Sequence, residues 1–189
     1  MARSPQAETT VLIADPPWPH ANGSRTNSGK SPKYPLMLLS EICALGPTVR
    51  KLAGDDAVLY LWVTSPCLLK SAEVLESWGF TYRSYHAWAK DRAACGFWNR
   101  SDAEVCLVAE RGRPSAPAGP LPRTVFRAQR LQGVHSSKPS TVHEFAERLW
   151  PEARKLELFA RAVRPGWECY GSDLGTLLTP SGIVESELP

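Results

Sequence analysis

The chain lacks the features that mark secreted, membrane-spanning and metal-binding proteins. Its five cysteines are odd in number and never spaced as CxxC, which argues against a disulfide framework or a zinc site. The first ten residues are polar, and no apolar run is long enough for a signal peptide or a membrane span. The four histidines lack the spacing of metal ligands, so we expect no metal. These absences predict an intracellular, cytoplasmic protein with reduced thiols.

Residues 1–173 are predicted to form one α/β domain, and the last sixteen residues, 174–189, a tail without chemistry. Apolar strand-like runs alternate with amphipathic helical segments, which favours a parallel or mostly parallel sheet with helices on both faces. Strands are expected at residues 11–14, 57–63, 80–90, 103–109 and 155–160. Helices are expected to begin at Ser40, at Ser65–Pro66, and at Thr141, which has the spacing of a capping box with Glu144.

The segment Asp15-Pro16-Pro17-Trp18 follows the first predicted strand directly. Because two prolines cannot continue a hydrogen-bonded ladder, the strand must end at Asp15. This places a carboxylate at the carboxyl end of a central strand, where open α/β sheets bind their ligands. We expect no donor within the turn to pair with the proline carbonyls. The turn thus offers acceptors and the flat ring of Trp18, but no nucleophile.

Such a turn suits alkylation of the exocyclic amine of adenine. An aspartate carboxylate and a proline carbonyl can accept the two N–H bonds, and the charged acceptor stabilises the positive charge that develops on nitrogen. Trp18 is expected to stack on the purine, which contributes about 1–3 kcal/mol per base. A proline turn with a surface tryptophan, or a polyproline ligand, remains the simpler alternative.

Two loops are basic and contain no acidic residue. Residues 19–35 hold Arg25, Lys30 and Lys33, which is compatible with a lid or a phosphate-binding arm, and equally with a solvated connection. Residues 111–134 are broken by prolines, and their arginines favour contacts with nucleic-acid phosphates over a merely solubilising loop. These arginines are Arg111, Arg113, Arg123, Arg127 and Arg130.

Glu157 lies between two leucines in the last long predicted strand. An acid at the edge of a buried apolar strand is unexpected unless it has a partner. In nucleotide-binding α/β folds an acid after a strand commonly binds ribose hydroxyls. Glu157 is therefore a candidate for binding a nucleoside.

Several motifs in the same order resemble the MT-A70 family of S-adenosylmethionine-dependent adenine N6-methyltransferases. The resemblance covers residues 11–173, and this short form is similar to those found in bacteria and their phages. It is carried by Asp15–Trp18, Lys33-Tyr34-Pro35 with Met37, Leu59–Thr64, Trp88-Ala89-Lys90, His135–Pro139, Arg154–Arg161 and Pro165-Gly166-Trp167.

The resemblance implies a Rossmann-like methyltransferase fold in which the catalytic motif precedes the cofactor motif. Asp15, Pro16, Pro17 and Trp18 would be the catalytic segment, with Tyr34 also flanking the base. The implied cofactor residues are Asp15, Lys138, Glu157, Arg161, Arg164, Ser172 and Asp173. The candidate substrate residues are Trp18, Lys30, Lys33, Tyr34, Arg111, Arg113, Arg127, Arg130 and Lys138. Gly171-Ser172-Asp173 departs from the Gly-Asn-Glu or Gly-Asn-Gln of relatives, which would loosen that cofactor contact.

Three functions remain open at this point. The first is methyl transfer to adenine in DNA, with S-adenosylmethionine as cofactor. The second is the same reaction on RNA or on a free nucleotide. The third is a non-catalytic family member that binds nucleic acid or a partner. The lack of an evident recognition domain is compatible with a homodimer.

Overall fold

The computed structural model describes residues 9–19, 35–94, 98–129 and 137–186. The strands are β1 (Thr10–Ala14), β2 (Ala57–Val63), β3 (Thr81–Ala94), β4 (Ser101–Arg111), β5 (Val125–Arg127), β6 (Arg154–Leu158), β7 (Glu168–Tyr170), β8 (Thr176–Thr179) and β9 (Gly182–Glu185). The α-helices are α1 (Leu39–Ala44), α2 (Gly46–Ala53), α3 (Ser71–Trp78) and α4 (Thr141–Leu149). Short 3₁₀ turns lie at Ser65–Cys67 and Ser172–Leu174.

Seven strands form one sheet in the order β5–β3–β4–β2–β1–β6–β7. Strand β1 is central and runs parallel to β2 and β6, and β6 runs parallel to β7. Strand β4 is antiparallel to both of its neighbours, whereas β5 runs parallel to β3. The prediction of a mostly parallel α/β sheet is confirmed: of its seven strands, β4 runs antiparallel to the other six.

Helices cover both faces of this sheet, as predicted. All residues of β1 and β2 are buried, as expected of strands covered on both faces. One face packs against α1, α2 and α3 through residues such as Ile42, Val49 and Trp78. The opposite face packs against α4 through Val142, Ala146 and Leu149.

Helix boundaries differ from the predictions at three places. The first helix begins at Leu39 rather than at a Ser40 cap, because the Glu41 carboxylate reaches back and accepts the Leu38 N–H at 2.7 Å. Ser65–Pro66 open only a 3₁₀ turn, and α3 starts at Ser71. Thr141 is already inside α4, where the preceding Ser140 hydroxyl, not Thr141, bonds to Glu144. Gly79 does end α3 in the left-handed conformation, with a φ of 78°.

Within the segment predicted as a tail without chemistry, residues 176–185 form a hairpin. Strands β8 and β9 pair antiparallel, and the Thr48 hydroxyl of α2 donates to the Thr179 carbonyl. This bond fixes the hairpin against the helix layer. In the described ranges, no helix has the length and apolar character required to cross a bilayer.

The register of the strands defines two edges of the sheet. The carboxyl edge is the one at which β1, β2, β6 and β7 end, and the amino edge is the one at which they begin. Because β4 runs the other way, Arg111 pairs with Ala57 at the amino edge. Val105 pairs with Val63 at the carboxyl edge, and the hairpin of β3 and β4 extends beyond that point.

Candidate functional site

A crevice is expected at the carboxyl edge between β1 and β6. The chain leaves β1 toward α1 and α2 on one face of the sheet. The segment after β6 instead leads to Trp167, which packs with α4 on the opposite face. Connections that diverge in this way open a crevice between the two strand ends, which is where open α/β sheets bind ligands. Asp15 directly follows β1 at this point.

Asp15 has one oxygen engaged and one available. Its Oδ2 accepts a hydrogen bond from Lys138 Nζ at 2.7 Å, and its side chain is 28% exposed. Within the described ranges, Oδ1 has no hydrogen-bond partner. Burial raises the pKa of the Asp15 carboxyl, and the attraction of Lys138 offsets this effect only in part. The site thus presents a negatively charged acceptor that is matched to one fixed cation.

The two prolines form a turn whose carbonyls are partly used. The Trp18 N–H donates to the Pro16 carbonyl at 2.8 Å, so the expectation that no donor in the turn would pair with them is wrong. The Pro17 carbonyl accepts from the Met37 N–H, also at 2.8 Å. Each carbonyl oxygen retains a second lone pair. The turn is therefore held on both sides, and Pro16 can still accept one more hydrogen bond.

Trp18 does not present the stacking surface that the sequence suggested. Its side chain is only 4% exposed and belongs to the core beneath α1, α2 and α3. The indole Nε1–H donates to the Trp62 carbonyl at 2.8 Å. A buried amphipathic ring satisfies its polar atom in this way, and its faces are occupied by packing. Trp18 anchors the proline turn to β2.

Lys138 lies between two carboxylates. Besides Asp15, its Nζ contacts Glu104 Oε2 at 3.4 Å, and it lies 5.6 Å from the centroid of the Trp62 ring. Burial opposes the charged form, but the attraction of Asp15 and Glu104 together outweighs it and raises the pKa of Lys138. The lysine stays protonated and supplies the counter-charge that Asp15 needs.

The sequence analysis missed Lys90 and Glu104 as members of the site. Lys90 Nζ contacts Glu104 Oε1 at 2.7 Å, across the β3–β4 pair. Burial alone would raise the pKa of Glu104, but Lys138 and Lys90 reverse this and lower it. The signal was the same one that singled out Glu157: a charged residue within a strand of apolar and aromatic neighbours.

Glu157 faces α4, close to the end of β6. His143 Nε2 donates to its Oε2 at 2.9 Å, since a carboxylate can only accept. Elsewhere in the described chain nothing bonds to Oε1. The rings of His143 and Trp167 pack edge to face, with their centroids 4.9 Å apart. Within the described residues, the buried Nδ1 of His143 has no hydrogen-bond partner. Glu157 therefore keeps one oriented oxygen for a ligand hydroxyl.

The turns that follow β6 and β7 are pressed together. Phe159 has a φ of 63°, which bulky residues rarely adopt. The Ala160 N–H donates to the Tyr170 carbonyl at 2.9 Å. A Cβ on Gly171 would lie 2.0 Å from the Ala160 carbonyl oxygen, so this position requires glycine. The strain fixes the path of the chain beside the crevice.

A model of the family described as MT-A70 matches residues 9–173 of this sequence. The chain belongs to the MT-A70 family. The Type II methyltransferase M.MunI of a Mycoplasma species is 30% identical, and the similarity covers 90% of this chain and 79% of that protein. The catalytic subunit METTL3 of human N(6)-adenosine-methyltransferase is 30% identical, and the similarity covers 87% of this chain but only 28% of METTL3. The MT-A70-like N(6)-adenosine-methyltransferase of Drosophila melanogaster is 29% identical, and 26% of it is covered.

The other cofactor candidates that the MT-A70 resemblance suggested are only partly assembled. Arg161 is exposed after β6. Its positive charge opposes the rise in the pKa of Asp15 that burial causes. Arg164 instead forms a two-pronged ion pair with Glu147 of α4, at 2.8 and 3.1 Å. Ser172 and Asp173 are exposed beyond β7 at the carboxyl edge. Arg164 thus holds the loop after β6 against α4.

The arginines predicted to contact substrate lie at both edges of this MT-A70 domain. Arg111 and Arg113 do not join the site: they lie at the amino edge, opposite to Asp15. Arg111 Nε donates to the Gly54 carbonyl at 2.9 Å, and the Arg113 N–H donates to Asp56 Oδ1 at 2.7 Å. Arg127 is exposed at the end of β5. It pairs with Ala89 of β3, a position that lies beyond the end of β2 at the carboxyl edge.

Other predicted substrate residues fall outside the described residues. They are Lys30, Lys33, Tyr34 and Arg130, together with Arg25 of the first basic loop. Their proposed contacts with a base or with phosphates remain predictions. No cluster of potential metal ligands occurs in the ranges that the structure covers.

Proposed function

We propose that this MT-A70 protein transfers a methyl group from S-adenosylmethionine to the N6 amine of adenine in DNA. The supporting observation is Asp15 Oδ1, an acceptor oxygen without a partner in the described residues, on a carboxylate held by Lys138 at 2.7 Å. It lies on a turn fixed by two backbone hydrogen bonds, at the edge where ligands bind in such folds.

Asp15 and Pro16 would prepare the amine for attack. Asp15 Oδ1 accepts one N6–H, and the second lone pair of the Pro16 carbonyl accepts the other. These bonds draw the nitrogen toward tetrahedral geometry and localise its lone pair. As nitrogen gains positive charge, the Asp15 carboxylate stabilises it more strongly than it stabilised the neutral amine. Because burial raises the pKa of Asp15, the same carboxylate is suited to accept the proton that N6 then loses.

The residues present fit a cofactor that carries a carboxylate and a ribose. Glu157 Oε1 is an oriented acceptor for a ribose hydroxyl, and Lys138 and Arg161 are cations suited to a carboxylate. S-Adenosylmethionine supplies a methyl group made electrophilic by a sulfonium. Holding the amine in line for transfer contributes about 7–11 kcal/mol in well-oriented reactions. Trp18 is buried beneath the turn and supports it rather than stacking on the base.

DNA is proposed as the acceptor because the similarity to the Type II methyltransferase spans most of both chains. The N(6)-adenosine-methyltransferase relatives favour RNA as the second candidate, but this chain covers only about a quarter of their length. A base in a duplex must be flipped out to reach Asp15, at a cost of a few kcal/mol. Arg127, exposed at the same edge, is the described candidate for holding the strand.

The test is to incubate the protein with methyl-labelled S-adenosylmethionine and separate pools of nucleic acid. The pools are unmethylated genomic DNA, single-stranded DNA, RNA and ATP. We expect label in DNA, recovered as N6-methyldeoxyadenosine after digestion, and about 10²–10³-fold slower labelling with the Asp15→Asn variant. Label in RNA or ATP alone would overturn the DNA assignment. A folded protein that labels none of the pools would overturn the proposed activity and leave a binding function.

A further inference from the structure

Four charged side chains of alternating sign form a row that ends at Asp15. Lys90 on β3 contacts Glu104 on β4 at 2.7 Å. Glu104 contacts Lys138 at 3.4 Å, and Lys138 contacts Asp15 at 2.7 Å. The signs alternate along the row, and the formal charges cancel. We call these residues the charge row.

Aromatic rings support both lysines of the charge row. Lys90 Nζ lies 5.8 Å from the centroid of the Trp88 ring, and Lys138 Nζ lies 5.6 Å from that of Trp62. The two tryptophan rings pack edge to face, with centroids 6.3 Å apart. The negative faces of the rings favour ammonium groups above them. The rings therefore add to the stabilisation of the two ammonium groups.

Burial is deepest at the end of the charge row that lies farthest from Asp15. The side chain of Lys90 is 4% exposed, whereas that of Asp15 is 28% exposed. In a poorly solvated region, charges act on one another more strongly than they do in water. A change at Lys90 is therefore transmitted along the charge row with little screening.

The contacts of Lys138 are unequal, and Lys90 explains why. Glu104 binds Lys90 closely through Oε1, so part of its attraction is already neutralised when Oε2 faces Lys138. Lys138 consequently lies close to Asp15 and farther from Glu104. Without Lys90, the full charge of Glu104 would compete with Asp15 for the same ammonium group.

We propose that Lys90 and Glu104 are positioning residues for methyl transfer: Lys90 restrains Glu104, so that Lys138 stays on Asp15 and keeps it ionised. This inference rests on the proposed role of Asp15. Neither residue touches the acceptor amine in this scheme. They act through Lys138.

Other groups also face Asp15 and must be included in its titration. Lys138 approaches from the segment before α4, and Arg161 from the segment after β6. Glu104 and the buried Cys106 approach from β4. Burial raises the pKa of the Cys106 thiol, so it remains neutral at physiological pH. The charged neighbours that set the titration are therefore Lys138, Glu104 and Arg161.

The proposal predicts opposite shifts for two substitutions. Lys90→Met frees Glu104 to attract Lys138 and to repel Asp15, so the titration midpoint of Asp15 should rise by about 0.5–1 pH unit. Glu104→Gln removes this competitor and its repulsion, so the midpoint should fall by a similar amount. In the double variant the midpoint should equal that of Glu104→Gln, because Lys90 acts only through Glu104.

The experiment measures the titration midpoint of Asp15 by ¹³C-carboxyl NMR of the free protein. The Asp15 carboxyl resonance is assigned as the one that is lost in Asp15→Asn. Thermal unfolding of each variant checks that it folds. The acid limb of the pH profile of kcat/KM on DNA should move in the same directions. Arg83→Met and Glu110→Gln are matched controls, since this ion pair joins the same two strands at the amino edge. They should leave the midpoint unchanged.

The inference is overturned if the midpoint shifts in the same direction in folded Lys90→Met and Glu104→Gln, or if it does not change in them. The pair would then have a purely structural role. A shift in Lys90→Met that persists when Glu104 is glutamine would also overturn the inference. Because the NMR titration needs no turnover, this result is separate from the proposed function. If opposite shifts occur in a protein that labels no acceptor, the charge row stands and the methyl-transfer assignment fails.

Discussion

The strands β3 and β4 carry one ion pair near each edge of the sheet, and the two pairs differ in their surroundings. Arg83 and Glu110 pair at the amino edge, where their side chains are 56% and 32% exposed. Lys90 and Glu104 pair beyond the carboxyl edge, where they are largely buried. An exposed pair contributes about 0.2–1 kcal/mol at most, because water screens it. The buried pair is coupled to Lys138 and, through it, to Asp15.

The two edges also differ in how their charged residues use their hydrogen-bonding atoms. At the amino edge Arg111 bonds to backbone carbonyls, and the backbone of Arg113 is held by Asp56, so these groups close loops. At the carboxyl edge Asp15 and Glu157 each keep an oxygen without a partner in the described residues. Carboxylate oxygens that remain available to a ligand therefore lie at the carboxyl edge, and we place the reaction there.

The largest expected effect comes from removing the charge of Asp15. Asp15→Asn keeps the shape of the side chain but loses the negative acceptor. We expect kcat for methyl transfer to fall by about 10²–10³-fold, as when one electrostatic contact to the transition state is removed. Cofactor binding, measured by calorimetry, should change by less than about threefold, or roughly 0.65 kcal/mol. An active Asp15→Asn variant would remove the contrast between the two edges.

An intermediate effect is expected at Glu157. Glu157→Gln should raise the dissociation constant for S-adenosylmethionine by about tenfold, since a charge-assisted hydrogen bond to ribose becomes a neutral one. At saturating cofactor, kcat should change little. Glu110→Gln is the matched control at the other edge and should leave cofactor affinity unaltered. Equal effects of the two substitutions would show that neither glutamate contacts the cofactor.

Local sequence signals predicted the elements that form the carboxyl edge. The apolar run before Asp15 and the prolines after it determined where β1 ends, and both signals lie within a few residues. The burial of Trp18 was not predictable in this way, because it depends on the Trp62 carbonyl, 44 residues away. A tryptophan after a proline turn is equally compatible with a solvent-facing ring and with a core ring.

The charge row was missed because it depends on strand register. Lys90, Glu104 and Lys138 come from three separate parts of the chain, and only the β3–β4 register brings the first two together. The basic segment 111–134 was treated as one unit for a related reason. The short edge strand β5 within it sends Arg127 to the carboxyl edge, while Arg111 ends β4 at the other.

The smallest expected effects come from two arginines of that segment, and they should differ in kind. Arg111→Met should lower the free energy of unfolding by about 1 kcal/mol through loss of its bond to Gly54, which corresponds to roughly 2–4 °C in Tm. Arg127→Met should leave Tm unchanged. If Arg127 contacts a phosphate, the slope of log K against log salt for DNA binding becomes shallower by about 0.9.

Arg111→Met should leave that slope unaltered, because its guanidinium lies at the edge opposite to Asp15 and is already bonded to backbone carbonyls. Fluorescence anisotropy with a labelled duplex over a salt series, together with thermal unfolding, measures both quantities on the same samples. A change in salt slope for Arg111→Met would extend the DNA path around the amino edge. A change in salt slope for Arg127→Met alone would confine the DNA path to the edge that carries Asp15. The bound strand and the reacting base would then lie at the same edge of the sheet.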